Sequence, residues 1–385
     1  MNKILLSLLS NILFSAPPVL LVLVYARVGS FEDSAALGLA LAVCAPLQLF
    51  FSMQHGLSIL SGRMSLQSAL SMRVLLLAPL LFLSAAAAWI LKEPIIIVFA
   101  LYRVGDFLYE PFFFDLIRQA RMGIVFTQSS TRFLLQFMCG WLGLYFSADI
   151  LVVVSLLAFV NVLYSILKIN RCRGLLSLGF SREYFSGFFL GAGALIAAVC
   201  INLPRYFLSS GKVEDLAVYS NILTIVMGGT LLFGAVNSVV FARASSLGLK
   251  GVVAFLNRSI FVTFLGVAAS LSFVAFDSAL SKLFIDVFLG SKYSAYYSLI
   301  VGFSVFYFIL YMQNSLNLVY LYFGHEKDFM IGSAVLLIML LVTSYWTKEA
   351  LPIELDLMIW LVNLLYFLFC FSMFITVKCK AGRVK

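Results

Sequence analysis

The sequence predicts an all-α polytopic membrane protein, with about twelve transmembrane helices in two six-helix lobes, and three observations predict it. The 385 residues are 63% hydrophobic and 11% charged, with a mean hydropathy of +1.07, whereas soluble domains hold roughly 25% charged residues. Apolar runs recur about every thirty residues, each long enough to cross a hydrocarbon core of ~30 Å as a helix. The connection from Lys168 to Glu183, longer than the others and rich in arginine, divides the chain into an N-terminal lobe (1–168), a cytoplasmic linker (169–183) and a C-terminal lobe (184–385).

The predicted spans lie at approximately 4–25, 36–57, 74–92, 94–117, 124–146, 150–168, 184–204, 215–241, 252–275, 294–321, 329–347 and 355–377. With the N-terminus inside, sixteen of the 26 Lys and Arg residues fall on the cytoplasmic side and seven outside, leaving Arg103, Arg132 and Arg258 within spans. The positive-inside rule therefore places both termini in the cytoplasm. The net charge of +9 thus reads as a topology signal, and nucleic acid is not an expected partner. Cys44, Cys139, Cys200 and Cys370 lie in spans, while Cys172 and Cys379 fall on the cytoplasmic side. No external disulfide and no zinc spacing follows from them.

Helix one carries Asn11 and the pair Pro17-Pro18, which removes backbone donors in mid-membrane and favours a kink. Helix two contains Gln48 and ends near His55, expected at the inner headgroup level. Helix four is the most heavily charged: Arg103, Asp106 and Glu110 fall within about 60° of arc, a single polar stripe. One charge at mid-membrane costs about 2.5–3.5 kcal/mol on insertion scales, so three demand partners or a function. Helix five presents Gln128, Arg132 and Gln136 at i, i+4, i+8, again on one face. Asp106 and Arg132 both lie roughly 18 Å from the outer surface, so an ion pair between these antiparallel neighbours is expected.

The second half repeats the first weakly, FEDSAALGLAL at 31–41 against VEDLAVYSNIL at 213–223, as transporters built from internal repeats do. Both acidic pairs read as solvated loop charge. The predicted spans of this half carry amides and hydroxyls, among them Asn221, Asn237, Gln313, Asn314 and Asn363, with Arg258 as their one charge. Gly228-Gly229 permits a close helix approach. The chain contains neither G-x-x-x-x-G-K-[ST] nor H-E-x-x-H nor G-x-S-x-G, so no nucleotide hydrolysis and no catalytic centre of these types is expected.

Two stretches carry a resemblance. IAAVCINLPRYFLSSGKVEDLAVYSNILTIVMGGTLLFGAVNSVVFARAS, at 196–245, resembles the seventh and eighth helices of polysaccharide flippases in the multidrug/oligosaccharidyl-lipid/polysaccharide exporter (MOP) superfamily. LFIDVFLGSKYSAYYSLIVGFS, at 283–304, resembles the entry to their tenth helix. Drug-extruding relatives usually carry an acid in helix one, and helix one here has none, which favours the branch that handles lipid-linked glycans.

The resemblance implies translocation of an undecaprenyl-pyrophosphate-linked glycan repeat unit, such as O-antigen, across a bacterial inner membrane by alternating access. Such a substrate presents an anionic pyrophosphate and a hydroxyl-rich glycan. Arg103, Arg132, Gln128, Gln136, Asn221, Gln313 and Asn314 are the expected substrate-binding groups, with Asp106 and Glu110 as ion-coupling or ion-pair residues. No catalytic residue, metal or cofactor is expected. The expected partners are the lipid-linked glycan, membrane lipids and other glycan-assembly proteins. A secondary transporter of a small molecule, a membrane glycan polymerase or glycosyltransferase, and a non-transporting scaffold subunit are the alternatives.

Overall fold

The computed structural model describes residues 3–383 apart from 54, 61–63, 148, 171–187, 277 and 351–354. Among the described residues the chain is helical with no strand. Its long helices are α1 (Lys3–Val28), α2 (Phe31–Ser52), α4 (Leu66–Leu91), α5 (Ile95–Arg118), α6 (Met122–Phe146), α7 (Ile150–Asn170), α8 (Phe188–Leu208), α9 (Val213–Ser246), α10 (Gly248–Phe276), α12 (Leu299–Tyr322), α13 (Glu326–Ala350) and α14 (Leu355–Arg383). Each overlays one predicted span. Between them lie the shorter α3 (His55–Leu60), α11 (Ser278–Phe288) and a 3-10 turn, Ser291–Tyr296.

Nine of the described helices are long and apolar enough to cross a membrane by composition. Outside that set, α5 carries Arg103, Asp106 and Glu110, and α6 carries Gln128, Arg132 and Gln136. These two hold most of the predicted site residues, so the polar composition that singles them out is the composition of the site.

Capping chemistry moves several boundaries. Ser30 and Asp33 form a reciprocal capping box at the start of α2, and Met53 in the left-handed region (φ 44°) ends it. Glu32-Asp33 and Glu214-Asp215 therefore lie in first helical turns, where negative charge complements the helix dipole, instead of in loops. Ser65 accepts a hydrogen bond from the Ser68 backbone and starts α4 eight residues before the predicted span. This earlier start draws Arg73, expected in a cytoplasmic loop, into the helix and buries it fully. His55 is likewise fully buried, at the start of α3. Cys172 and the linker beyond residue 170 lie outside the described residues.

The chain forms two compact units. The first comprises residues 1–22 and 29–199, and the second residues 23–28 and 200–385. Within the first, α5 is the hub, packed against α2, α3, α4, α6 and α7. Within the second, α12 occupies the corresponding place, packed against α9, α10, α13 and α14. In both, the fourth long helix of six touches the second, third, fifth and sixth. This repetition of neighbours is the structural counterpart of the weak sequence echo at 31–41 and 213–223.

Candidate functional site

The site is built around α5. Gly105 has no Cβ, and one added there would lie 2.5 Å from the Asn161 side chain and 2.7 Å from its backbone. Only glycine lets α7 approach this closely. The closeness puts the Asn161 amide nitrogen 2.8 Å from the Tyr102 carbonyl and 2.9 Å from Asp106 Oδ1. One turn on, Ser165 Oγ donates to the Gly105 carbonyl at 2.8 Å. The apolar sequence of α7 thus contributes one amide, and that amide organises the cluster.

Asp106 is the centre. It accepts from Asn161, from Arg103 Nη1 at 2.5 Å, and from Arg132 Nη2 across the α5–α6 contact. Arg132 is buried and donates through Nε to Asn161 Oδ1 at 2.9 Å. Its guanidinium lies over the rings of Phe14, at 4.9 Å, and Tyr109, at 5.3 Å. Gln136 Nε2 donates to the same Asn161 oxygen at 2.9 Å, and its own oxygen accepts from the Tyr102 hydroxyl at 3.1 Å. Gln128 accepts from the Tyr109 hydroxyl at 3.1 Å. The expected Asp106–Arg132 pair is present, and it sits inside a network instead of standing alone.

The stripe predicted on α5 divides. Glu110 turns to α4, where Arg73 Nη2 meets its carboxylate at 2.9 Å and Arg73 Nη1 donates to the Phe107 carbonyl at 2.9 Å. Arg73 also stacks on the Phe107 ring at 4.2 Å. Arg103 turns to α2, donating through Nε to Gln48 Oε1 at 2.6 Å. The cluster therefore holds three guanidinium groups, Arg73, Arg103 and Arg132, against two carboxylates, Asp106 and Glu110, an excess of one positive charge. Burying unbalanced charge is costly. Arg103 is the least enclosed of the three: 23% of its side-chain surface is exposed, against 2% for Arg132 and none for Arg73.

Three contributors escaped the sequence reading: Arg73, Asn161 and Tyr102. Ser65 as a helix cap would have placed Arg73 inside α4. Asn161 is one of the few polar residues in α7, an expensive position in lipid, and that isolation was its signal.

The second unit does not gather its predicted residues. The amide of Asn221 donates to Tyr293 Oη at 2.9 Å, whereas Gln313 is buried and Asn314 half-buried on α12. Asn237 bonds Ser315 across α9 and α12 at 3.0 Å, and Asn363 donates to the Gly302 carbonyl at 2.8 Å. Gly229 leaves room for Tyr307, whose hydroxyl donates to its carbonyl at 3.3 Å. The expectation that Arg258 is the one charge in these spans is corrected. Arg205, expected outside, is buried near the end of α8, bonded to Asn202 Oδ1 at 2.6 Å, the Ser220 carbonyl at 2.9 Å and Thr224 Oγ1 at 3.0 Å. Arg73 and Arg205 thus leave opposite sides of the charge tally, one from each, and the bias between the sides survives. Among the described residues no three His, Cys, Asp or Glu side chains converge as a metal site would require.

No protein-family model and no curated protein matches this sequence. Solved structures do match its fold. A multidrug resistance MATE family transporter of the MOP superfamily aligns in its outward-facing conformation with a TM-score of 0.67 at 13% identity, over 99% of this chain and 96% of that one. In its inward-facing conformation the TM-score is 0.61 at 13% identity, over 100% and 96%. A MOP superfamily transporter from Pyrococcus furiosus, described by a reversed polarity of its binding pocket that suggests a different function, aligns with a TM-score of 0.61 at 12% identity, over 99% and 95%. The chain is an all-α membrane protein with the two-lobe fold of MATE transporters.

Proposed function

We propose that this chain is a transporter of an anionic, lipid-linked substrate, moving an undecaprenyl-pyrophosphate-linked glycan such as an O-antigen repeat across a bacterial inner membrane by alternating access. The observation that carries the reading is the excess guanidinium at the α5 cluster, with Arg103 the member left half-buried. A site for cationic drugs would need the opposite sign. The Pyrococcus furiosus relative in fold supports the idea that this architecture accommodates pockets of either polarity.

In this reading Arg103 meets the pyrophosphate, offering a planar donor edge suited to phosphate oxygens. Arg132 contributes the second cation of the binding field, held by Asp106 and Asn161. Asp106 and Glu110 act as ion-pair members that hold the arginines in place. Gln128 in the first unit, and Gln313 and Asn314 in the second, are the amides suited to glycan hydroxyls, while Gln136 and Asn221 brace helices within their own units. Glycan-assembly proteins that supply or consume the lipid-linked unit are the proposed partners, with both termini in the cytoplasm. Cys379 is exposed, so an impermeant thiol reagent added outside intact cells should leave it unlabelled.

The test is transport in proteoliposomes. The wild type should move a fluorescent undecaprenyl-pyrophosphate saccharide between leaflets and ignore a cationic dye. Arg103→Gln should lose the activity at unchanged protein level, and Arg103→Lys should restore only part of it. Export of the cationic dye, or full glycolipid transport by Arg103→Gln, would overturn the reading.

A further inference from the structure

We propose that the second unit holds an acyl chain of an anionic phospholipid in an apolar slot beside α11, with the lipid phosphate on Lys282 and Arg27. Eleven residues rise about 16 Å, half of a ~30 Å hydrocarbon core, so α11 does not span. Leu280, Leu283, Phe284, Val287 and Phe288 fall at i, i+3, i+4, i+7 and i+8, which makes a single apolar stripe. A short helix with one such stripe lies in the membrane interface with the stripe dipped to acyl depth. The turn that follows carries Tyr293 and Tyr296 and leads to Tyr297, residues that favour the headgroup level.

The stripe is not packed on protein. Leu283 is 57% and Val287 53% exposed, whereas Ile285 and Leu289 on the other side of α11 are fully buried and anchor it. The stripe instead lines a cavity of about 610 Å³, whose other walls come from α9, α10 and α12 and whose only polar groups are serine hydroxyls. One of them, Ser270 Oγ, already donates within its own helix to the Gly266 carbonyl at 2.9 Å. A concavity this apolar gives water too few partners to be ordered there. At acyl depth the occupant that matches it is a hydrocarbon chain.

Charge selects the headgroup. Exposed Lys282 lies on the face of α11 opposite the stripe, the face that an interfacial helix turns toward the headgroups. Its Nζ lies 4.7 Å from the Tyr297 ring. Along the same helix, Arg27 Nη2 donates to the Asp286 carbonyl at 3.4 Å. Two cations against the one carboxylate of Asp286 favour a phosphate anion. Lysine and arginine near a membrane surface each contribute roughly 1 kcal/mol toward anionic lipid, or about fivefold in binding.

The test uses the full-length protein without its transported substrate, so its outcome is independent of the proposed function. Native mass spectrometry would compare retention of phosphatidylglycerol, phosphatidylcholine, undecaprenyl phosphate and glycerol phosphate by wild type and Lys282→Gln. Phosphatidylglycerol should be retained preferentially, with about a fivefold loss in Lys282→Gln and no change for phosphatidylcholine. In parallel, Phe284→Trp in bilayers should be quenched beyond the wild-type background by phosphatidylglycerol with brominated acyl chains, and less so in the Lys282→Gln background. Equal retention of the two phospholipids, binding of glycerol phosphate alone, retention of undecaprenyl phosphate in place of phospholipid, or dimerisation with the slot free of lipid would each overturn the proposal. If Phe284→Trp fails to fold, the retention measurement on wild type and Lys282→Gln decides by itself.

Discussion

The two halves share one arrangement of neighbours around α5 and α12 and fill it with different chemistry. In the first, the sixth long helix reaches the hub through Asn161, and that amide ties together Asp106, Arg132 and Gln136. In the second, the sixth long helix reaches the hub through Asn363, which donates to the Gly302 carbonyl. The same packing solution therefore carries a charged network in one half and helix-to-helix hydrogen bonds in the other. Scaffold and site are separable: the neighbour pattern needs small residues and an amide at the closest crossing, and it accepts charge only where partners are supplied.

The largest expected effect breaks the charged half. Asp106→Ala leaves buried Arg132 without its carboxylate and should lower stability by about 3–5 kcal/mol, seen as a lower melting temperature in detergent and a lower yield in membranes. The double variant Asp106→Asn with Arg132→Gln should be recovered better than Asp106→Ala, because removing both charges costs less than stranding one. A melting temperature of Asp106→Ala equal to wild type would erase the distinction between the halves.

The next comparison is direct. Asn161→Ala removes the acceptor shared by Arg132 and Gln136 and the donor to Tyr102 and Asp106, and should cost about 3 kcal/mol. Asn363→Ala removes the bond to the Gly302 carbonyl and should cost about 1 kcal/mol. Equal losses in paired thermal melts would mean that the charged network adds nothing beyond helix contact.

Intermediate in size is the effect at the hub glycines. A Cβ at Gly105 meets Asn161 backbone, so Gly105→Ala should destabilise by about 1–3 kcal/mol through overpacking. At Gly302 the nearest atom is the Ile359 side chain at 2.7 Å, which can rotate away, and Gly302→Ala should lose less. The smallest effect is expected at exposed Arg258: Arg258→Gln should change stability by no more than about 0.5 kcal/mol. A substantial loss there would show that a charge besides buried Arg205 matters in the spans of the second half.

By itself, the sequence determined the number and order of the long helices, because each must be an apolar run of a length set by the bilayer and nothing else in the chain competes with that signal. It also determined which helices carry charge, since an ionisable group in such a run stands out against its neighbours. The level placement of Asp106 and Arg132 followed from helical rise alone. Tertiary structure decided the partners. Helical spacing puts Arg103, Asp106 and Glu110 on one face of α5, but only the packing of α2, α4, α6 and α7 around that face sends Arg103 to Gln48, Glu110 to Arg73, and Asp106 to Arg132 and Asn161. Likewise, composition marks Arg205 as a cation near the end of a span, and only the approach of α9 supplies the Ser220 carbonyl and Thr224 hydroxyl that bury it. Periodicity and length are properties of one helix and survive in the sequence; a hydrogen-bond partner on another helix depends on rotation and crossing, which no single segment encodes.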